Sequence, residues 1–330
     1  MIVSTTEIFR HAYGRYAVGA YNFNNLEQLL GLFRGNLGKT RENDEPVIPE
    51  KAAPFIVQLI PGALEYSDPQ FIQGMLQAAE EIFPDAIYSI HLDHGTEEDC
   101  YACIASGIYR SVMVDASYSP LEENIAVTRR VVERAHEKGI TVEAELGEIG
   151  GQETEREGKV LLTHPDQAAE FVERTGCDSL AVAIGTSHGA FKFTGASVLH
   201  WERLQEIQRA LPPRFPLVLH GASAVPQEWI ARINAAGGAM RNAKGCNEEE
   251  YFLAARYGVC KINIDTDGRL VWYGTHREFF RDCPQEFDLR GPGKNFMEQY
   301  ARSIQHKSAM LGSAGEWKSF REELLQTASI

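Results

Sequence analysis

Eight short apolar runs, separated by segments of helical periodicity, constrain the fold of this chain more than any other feature. The runs are rich in Val and Ile and mostly continuous in apolar character, which is typical of parallel strands buried on both faces. They are Val18–Phe23, Pro54–Ile60, Ile87–Leu92, Ser111–Asp115, Thr141–Leu146, Ser179–Ile184, Pro216–His220 and Val259–Ile264.

The segments between the runs carry helix signals. Three of them have proline at the start, which is favoured in a first helical turn: Pro120–Lys138, Pro165–Thr175 (with Thr163 as the expected cap) and Pro226–Ala236. Strands that alternate with helices eight times predict an α/β fold, a closed (β/α)8 TIM barrel, with an open doubly wound sheet as the alternative. No Gly-x-Gly-x-x-Gly follows the first strand, which disfavours the dinucleotide-binding form of that sheet.

Two segments fall outside this alternation. Arg34–Lys51 is polar and contains two glycines and two prolines, so we expect a surface excursion there. Residues 284–330 follow the last strand and helix and include a helical pattern at Met297–Leu311. We therefore predict a barrel domain over residues 1–283 and a C-terminal helical extension of it over residues 284–330.

Composition and charge argue against a nucleic-acid-binding, membrane or secreted protein. The net charge of −14 argues against a nucleic-acid partner, and no apolar stretch reaches the roughly 20 residues that span a bilayer. The N-terminus lacks the pattern of a signal peptide. Six cysteines in 330 residues form no disulfide framework, which predicts a cytoplasmic protein, and Cys100 and Cys103 read as ordinary helix cysteines.

Three histidines share one local context, an apolar run followed by histidine and glycine: His94, His188 and His220. A parallel barrel brings all strand ends to one face, so these imidazoles would meet there as an open zinc site with three protein ligands. Asp93 lies beside His94 and reads either as a general acid or base or as a carboxylate that orients a ligand histidine.

Glycines near the last strands suggest an anion site. Gly189, Gly221 and Ser223 can offer backbone N–H groups and a hydroxyl, and Lys192 adds positive charge; tight turns are the alternative. The polar stretch Gly147–Lys159 reads either as a mobile lid carrying Glu153 as an acid or as a solvated acidic loop.

Together these motifs resemble the class II, zinc-dependent fructose-bisphosphate aldolases. The resemblance runs from Ala20 to Asp267 and rests on His91–Gly95, Glu145-Leu146-Gly147 with Gly150-Gly151, Gly185–Lys192 and Leu219–Ser223. It implies reversible cleavage of fructose 1,6-bisphosphate into two triose phosphates, dihydroxyacetone phosphate and glyceraldehyde 3-phosphate. It also implies a Zn²⁺ cofactor, an optional Na⁺ or K⁺, and a homodimer or homotetramer.

The resemblance also assigns roles to residues. Asp93 would move the proton of the C4 hydroxyl, Glu153 would exchange the C3 proton, and Asn263 would hold the enediolate oxygen. The remaining assignments are His94, His188 and His220 for zinc; Asp115 and Glu145 for a second metal position; and Asn24, Gly189, Lys192, Gly221, Ser223, Asp265, Thr266 and Arg269 for substrate and its phosphates.

Asp265 and Arg269 favour fructose bisphosphate, because the tagatose-bisphosphate relatives usually have alanine at the first of these positions. Tagatose- or sedoheptulose-bisphosphate cleavage remains the alternative within the family. One departure bears on the substrate: Ile60 stands where the family usually has a serine that contacts it. Ala116 replaces the family's glycine, a smaller change.

Two hypotheses from other classes compete with the aldolase. A barrel metallohydrolase usually has His-x-His at the end of the first strand, where this chain has Asn22-Phe23-Asn24-Asn25. A non-catalytic paralogue that binds sugar phosphate has Ile60 as its only support.

Overall fold

The computed structural model describes residues 1–41, 45–147, 149, 161–188, 199–240 and 243–327. Within these ranges, eight parallel strands pair in chain order, and β1 pairs with β8 to close a barrel. The strands are β1 Val18–Asn22, β2 Phe55–Leu59, β3 Tyr88–Gly95, β4 Ser111–Val114, β5 Thr141–Leu146, β6 Ser179–Val182, β7 Leu217–Leu219 and β8 Val259–Ile264. The closed barrel is the predicted fold, and the open doubly wound sheet is wrong.

Each predicted strand is present. β2, β3 and β7 begin one residue later than predicted, and the larger differences lie at the carboxyl ends. β3 continues to Gly95, three residues past its predicted end, so that Asp93 and His94 belong to the strand itself. β6 and β7 end earlier than expected, because Ile184 and His220 have already left the ladder. An apolar run marks the buried part of a strand, whereas hydrogen bonding to neighbouring strands decides where it ends.

Helices connect the strands and cover the barrel. They are α1 Thr5–Ala12, α2 Leu26–Asn36, α3 Pro61–Ser67, α4 Pro69–Ile82, α5 Glu97–Ser106, α6 Leu121–His136, α7 Pro165–Thr175, α8 Trp201–Ala210, α9 Gln227–Ala235, α10 Tyr251–Arg256, α11 Thr266–Asp282, α12 Arg290–Met310 and α13 Glu316–Thr327. A short 3₁₀ turn, Glu248–Glu250, precedes α10. None of the helices in the described ranges is long and apolar enough to cross a membrane.

Thr163 does not cap α7, contrary to expectation. The N-cap residue is His164, whose side chain makes no capping hydrogen bond. The Thr163 hydroxyl instead donates to the Leu146 carbonyl and accepts the N–H of Ala183 at 2.8 Å. It therefore links the ends of β5 and β6. In α5, Cys100 and Cys103 are buried free thiols, as expected of helix cysteines.

The C-terminal helices pack on the barrel. α12 lies against α2, where Gly35 gives the close approach: a Cβ there would be 2.6 Å from Ile304 Cβ. This contact corrects the first part of the expected surface excursion at Arg34–Lys51, whereas residues 45–51 are exposed or half-buried as expected. Residues 34–36 complete α2, and residues 34–39 are buried. Glycine reads as a loop signal in sequence, but here it permits helix packing. The division of the chain at residue 284 stays a prediction.

Candidate active site and metal centre

Three histidine rings meet at the carboxyl ends of the strands. His94 lies near the end of β3, while His188 and His220 follow β6 and β7. Their ring centroids are 4.5 Å apart for His94–His220, 5.1 Å for His94–His188 and 6.1 Å for His188–His220. One ligand atom from each ring lies within 4.8 Å of the other two, so the structure brings together the residues expected to bind zinc.

Hydrogen bonds orient two of these rings toward a shared centre. Glu143 accepts from His220 Nε2 at 2.7 Å, and Asp115 accepts from His94 Nδ1 at 2.8 Å. With those nitrogens protonated, the lone pairs of the neutral rings are on His220 Nδ1 and His94 Nε2, which face each other at 2.8 Å. Two lone pairs at this distance repel each other unless a proton or a metal ion lies between them, and neutral imidazoles are preferred zinc ligands, so the donor set fits zinc.

The electrostatic setting of His94 also favours a cation. Burial would lower the pKa of His94, but the carboxylates of Asp93 and Asp115 raise it to about 10. By contrast, burial and the neighbouring His94 hold the pKa of His220 well below its usual range, which keeps that ring neutral. His94 also has a backbone φ of 51°, unusual for a residue other than glycine, and such a conformation often marks a functional site.

Asp93 lies directly beside the histidine cluster and is held from three sides. Its Oδ2 accepts from Asn22 Nδ2 at 3.0 Å and Gln58 Nε2 at 3.2 Å, and its Oδ1 accepts from Asn263 Nδ2 at 2.9 Å. Burial would raise the pKa of Asp93, but His94, Lys261 and His220 hold it well below its usual range. Asp93 is therefore an oriented, ionised carboxylate.

Sequence reasoning missed the buried support below the histidines. Lys261 Nζ lies 2.9 and 3.0 Å from the two carboxylate oxygens of Glu143 and 3.1 Å from His91 Nε2. His91 Nδ1 in turn meets Ser111 Oγ at 2.8 Å. The available signal was a polar residue two positions before Asn263 on β8, since residues i and i+2 face the same side of a strand.

A second set of ligand atoms adjoins the first. His94, Asp115 and Glu145 each offer one atom within 4.8 Å of the others, which brings together the residues expected at a second metal position. Burial and the Asp115 charge raise the pKa of Glu145 well above its usual range. Glu145 Oε2 is buried without a hydrogen-bond partner among the described residues, so this donor set also fits a metal ion.

The expected phosphate residues lie only partly within the described ranges. Gly221, Ser223 and Thr266 line one narrow cleft together with His94 and His188. A Cβ on Gly221 would lie 2.6 Å from the Ser187 carbonyl carbon, so only glycine permits this approach between the loops after β6 and β7. Thr266 begins the 17-residue helix α11, whose N-terminus favours anions.

Four other expected features fall outside the described residues: Gly189, Lys192, Glu153 and nearly all of the lid Gly147–Lys159. The cleft, which we call the reactive cleft, is lined by Asn22, Ile60, Asp93, His94, His188, Gly221, Ser223, Asn263, Asp265 and Thr266.

A remote ion-pair cluster supports the loop that carries Ser223. Asp267 accepts the backbone N–H groups of Ala224 at 3.1 Å and Val225 at 2.8 Å. Lys307 on α12 is buried and contacts Asp267 at 2.7 Å and Glu248 at 2.5 Å. The C-terminal segment therefore contributes to the geometry of the reactive cleft, which nothing in the local sequence indicated.

Asn24 and Arg269, both expected to bind substrate, line a second and larger cavity of about 550 Å³. We call it the side pocket; its lining residues are Asn24, Asn25, Gln28, Ile60, Gly62, Ala63, Tyr66, Arg269, Trp272 and Tyr273. Ile60 belongs to both cavities. The Arg269 guanidinium pairs with Asp265 of the reactive cleft at 2.6 Å, so the two cavities are joined at two places.

A closed parallel barrel with a histidine cluster and a buried carboxylate at its carboxyl ends is typical of a barrel enzyme, with a donor set that could hold a metal ion. The family described as fructose-bisphosphate aldolase class-II matches residues 3–316 of the chain. The chain belongs to this family and is an aldolase, a lyase. This confirms the predicted membership, and the metallohydrolase and non-catalytic hypotheses are not supported.

Individual relatives cover nearly the whole chain. The fructose-bisphosphate aldolase of Giardia intestinalis is 40% identical over 310 residues, which are 92% of this chain and 91% of that protein. The fructose-bisphosphate aldolase of Thermus caldophilus is 39% identical over 323 residues, 96% of this chain and 99% of that protein. The crystal structure of the YdjI aldolase from Escherichia coli K12 matches with a TM-score of 0.75 at 28% identity, over 96% of this chain and 99% of that chain.

Proposed function

We propose that this aldolase reversibly cleaves fructose 1,6-bisphosphate into dihydroxyacetone phosphate and glyceraldehyde 3-phosphate, with zinc held by His94, His188 and His220. One observation carries the proposal: a buried, oriented carboxylate, Asp93, adjoins a cluster of three histidines. The Asn263 amide links the two, since its Nδ2 lies 2.9 Å from Asp93 Oδ1 and 3.1 Å from His220 Nδ1.

Zinc, when bound, supplies a Lewis acid that polarises a carbonyl oxygen. The chain's own contribution is to hold the ligands in place. Glu143 fixes the tautomer and orientation of His220, and Lys261 fixes Glu143 in turn. Asp115 does the same for His94, and with Glu145 it forms the proposed second metal position.

Asp93 is the proposed proton carrier of the cleavage step. As the C3–C4 bond breaks, the proton of the C4 hydroxyl moves to the ionised Asp93 carboxylate, and it returns in the reverse reaction. Asn22 and Gln58 orient this carboxylate, so that little reorganisation is needed. Asn263 Oδ1 is buried with no hydrogen-bond partner in the described part of the chain, and it can accept a substrate hydroxyl. Glu153 is proposed to exchange the C3 proton.

One phosphate is proposed to bind at Gly221, Ser223 and Thr266, where the N-terminus of α11 favours negative charge. Gly189 and Lys192 are proposed to complete that site, with Na⁺ or K⁺ as an optional addition. The second phosphate is assigned to the side of Asp265, Arg269 and Asn24. Asp265, at the position where the tagatose-bisphosphate relatives usually have alanine, favours fructose bisphosphate over tagatose bisphosphate.

The test is cleavage of fructose 1,6-bisphosphate and tagatose 1,6-bisphosphate by the purified protein, with and without chelator. We expect chelator to abolish cleavage, added zinc to restore it, and fructose bisphosphate to have the higher kcat/KM. Cleavage that resists the chelator, or no cleavage with added zinc, would overturn the proposal. A higher kcat/KM for tagatose bisphosphate would change the assigned substrate but not the proposed type of reaction.

We also propose a cytoplasmic location and a homodimer or homotetramer. All six cysteines are free thiols in the structure, and five of them are buried, which suits a reducing compartment. Sedimentation of the purified protein tests the assembly.

A further inference from the structure

The side pocket is larger and more apolar than a short polar aldehyde requires. Its volume is about 550 Å³, within the range typical of sites for drug-sized ligands. Five of its ten lining residues are aliphatic or aromatic: Ile60, Ala63, Tyr66, Trp272 and Tyr273. Arg269 is the only cationic side chain of this lining, and its charge is already paired with Asp265. The lining therefore has room for an apolar body beside Arg269, the cation that the proposed function assigns to the second phosphate.

The side pocket also opens where the aldehyde partner of an aldol reaction must lie. Ile60 follows β2 and is the N-cap residue of α3, and its half-buried side chain lines both cavities. In the reactive cleft, Asp93 and the histidines mark the reacting carbons. A group attached to the aldehyde carbon and directed away from Gly221 and Ser223 passes Ile60 and enters the side pocket.

The exposure of the aromatic side chains is consistent with a site that a ligand covers. Tyr66 is 78% exposed and Trp272 is 41% exposed, although both line a concave surface. Large apolar side chains grouped at a cavity often mark a binding site. Continuity with the reactive cleft points to a small aldehyde as the occupant.

We propose, on the basis of the proposed function, that the side pocket binds the body of the acceptor aldehyde and accepts apolar and aromatic groups there. In the condensation, C3 of dihydroxyacetone phosphate loses a proton to Glu153 and bonds to the aldehyde carbon. The π pair of the aldehyde C=O moves to its oxygen, which takes the proton that Asp93 has first accepted from solvent, and Glu153 returns its proton to solvent. Ile60 determines specificity because it forms the apolar entrance to the side pocket.

The experiment measures condensation of dihydroxyacetone phosphate with phenylacetaldehyde, acetaldehyde and glyceraldehyde 3-phosphate by the zinc-loaded protein. We expect kcat/KM for phenylacetaldehyde to exceed that for acetaldehyde by about tenfold, since burial of a phenyl ring favours binding. Equal values for the two aldehydes would overturn the proposal. Glyceraldehyde 3-phosphate tests the proposed function separately. If it does not react while phenylacetaldehyde does, the assignment of fructose bisphosphate as substrate is wrong, but the proposal for the side pocket stands.

Variants assign the preference to the side pocket. Ile60→Ser and Tyr66→Ala should each lower the phenylacetaldehyde-to-acetaldehyde ratio by about fivefold. Phe287→Ala is the matched control, because Phe287 is 96% exposed and lies outside the side pocket. A ratio unchanged in both pocket variants would contradict the proposal. A lower sedimentation coefficient for Tyr66→Ala with an unchanged ratio would also contradict the proposal. It would indicate that the surface around Tyr66 contacts a second copy of the chain.

Binding can also be measured without turnover. Titration with 2-phenylethanol should quench tryptophan fluorescence saturably, and Trp272→Phe should lose most of that change while keeping the aromatic wall. No saturable change in the wild-type protein would overturn the proposal even if no condensation is detected.

Discussion

The reactive cleft and the side pocket share Ile60 but are built in opposite ways. Asp93 lines the reactive cleft and His220 lies beside it, each at the end of a buried strand, and hydrogen bonds from other strands hold both of them. The side pocket is formed largely by side chains of α3 and α11, including the exposed Tyr66 and Trp272. The chemistry therefore depends on a fixed polar network, whereas the substrate range depends on helix surfaces that can change without disturbing it.

The sharpest test of this contrast is Asp93→Ala. We expect kcat for fructose bisphosphate cleavage to fall about 10²- to 10⁴-fold, because a positioned proton carrier is lost, while zinc content stays that of the wild type. Steady-state kinetics and metal analysis measure both. Asp85→Ala, at an exposed position near the other end of β3, serves as the control. Turnover that survives in Asp93→Ala would reduce Asp93 to an orienting role.

Lys307→Met tests whether the reactive cleft depends on the C-terminal segment. Removal of this buried cation leaves Asp267 without its lysine partner and Glu248 with His306 alone, so the free energy of unfolding should fall by about 3–5 kcal/mol. KM for fructose bisphosphate should also rise more than kcat falls, since Asp267 holds the loop after β7. Urea unfolding and kinetics check this, with exposed Lys318→Met as the control. A KM equal to that of the wild type would show that α12 does not affect substrate binding in the reactive cleft.

Glu143→Gln tests the support beneath His220. A neutral amide holds the imidazole less well, so we expect zinc affinity to fall about 10- to 100-fold, as measured by competition with a chelator. Glu133→Gln is the matched control, since that side chain is 62% exposed on α6. The same zinc affinity in Glu143→Gln as in the wild type would contradict the role of this hydrogen bond.

Acid should remove part of the stability that the ion-pair cluster of Glu248 and Lys307 provides, with a smaller effect than the substitutions above. Burial would raise the pKa of Glu248, but hydrogen bonds from His306 and Lys307 lower it to about 2. Because the folded pKa is below the ordinary value of 4.5, Glu248 stabilises the fold fully above pH 4.5, and this is lost as pH falls toward 2. The difference in unfolding free energy between wild type and Glu248→Gln should therefore shrink over that interval. A difference that stays constant in urea titrations down to pH 2 would contradict this.

Strand number and type were predictable because burial on both faces leaves a repeated apolar signal. All eight strands, the proline-initiated helices and the strand-end positions of Asp93, His94, His188 and His220 could be read this way. The buried residues that support the histidine cluster could not be predicted from the sequence. Lys261 and Glu143 lie 118 positions apart in sequence, and only closure of the barrel around a shared interior brings their side chains to 2.9 Å. Thr163 failed as a cap because contacts with Leu146 and Ala183 outweighed the local capping preference.

The sequence by itself determined the barrel, the family resemblance and the set of polar residues at the strand ends, because these depend on local periodicity and short motifs. Tertiary structure alone decided which nitrogen of His94 and of His220 faces the centre, because carboxylates from other strands fix those rings. It also decided that α12 supports the loop after β7 and that Ile60 joins two cavities. These relations depend on distances between segments remote in sequence, which no local pattern encodes.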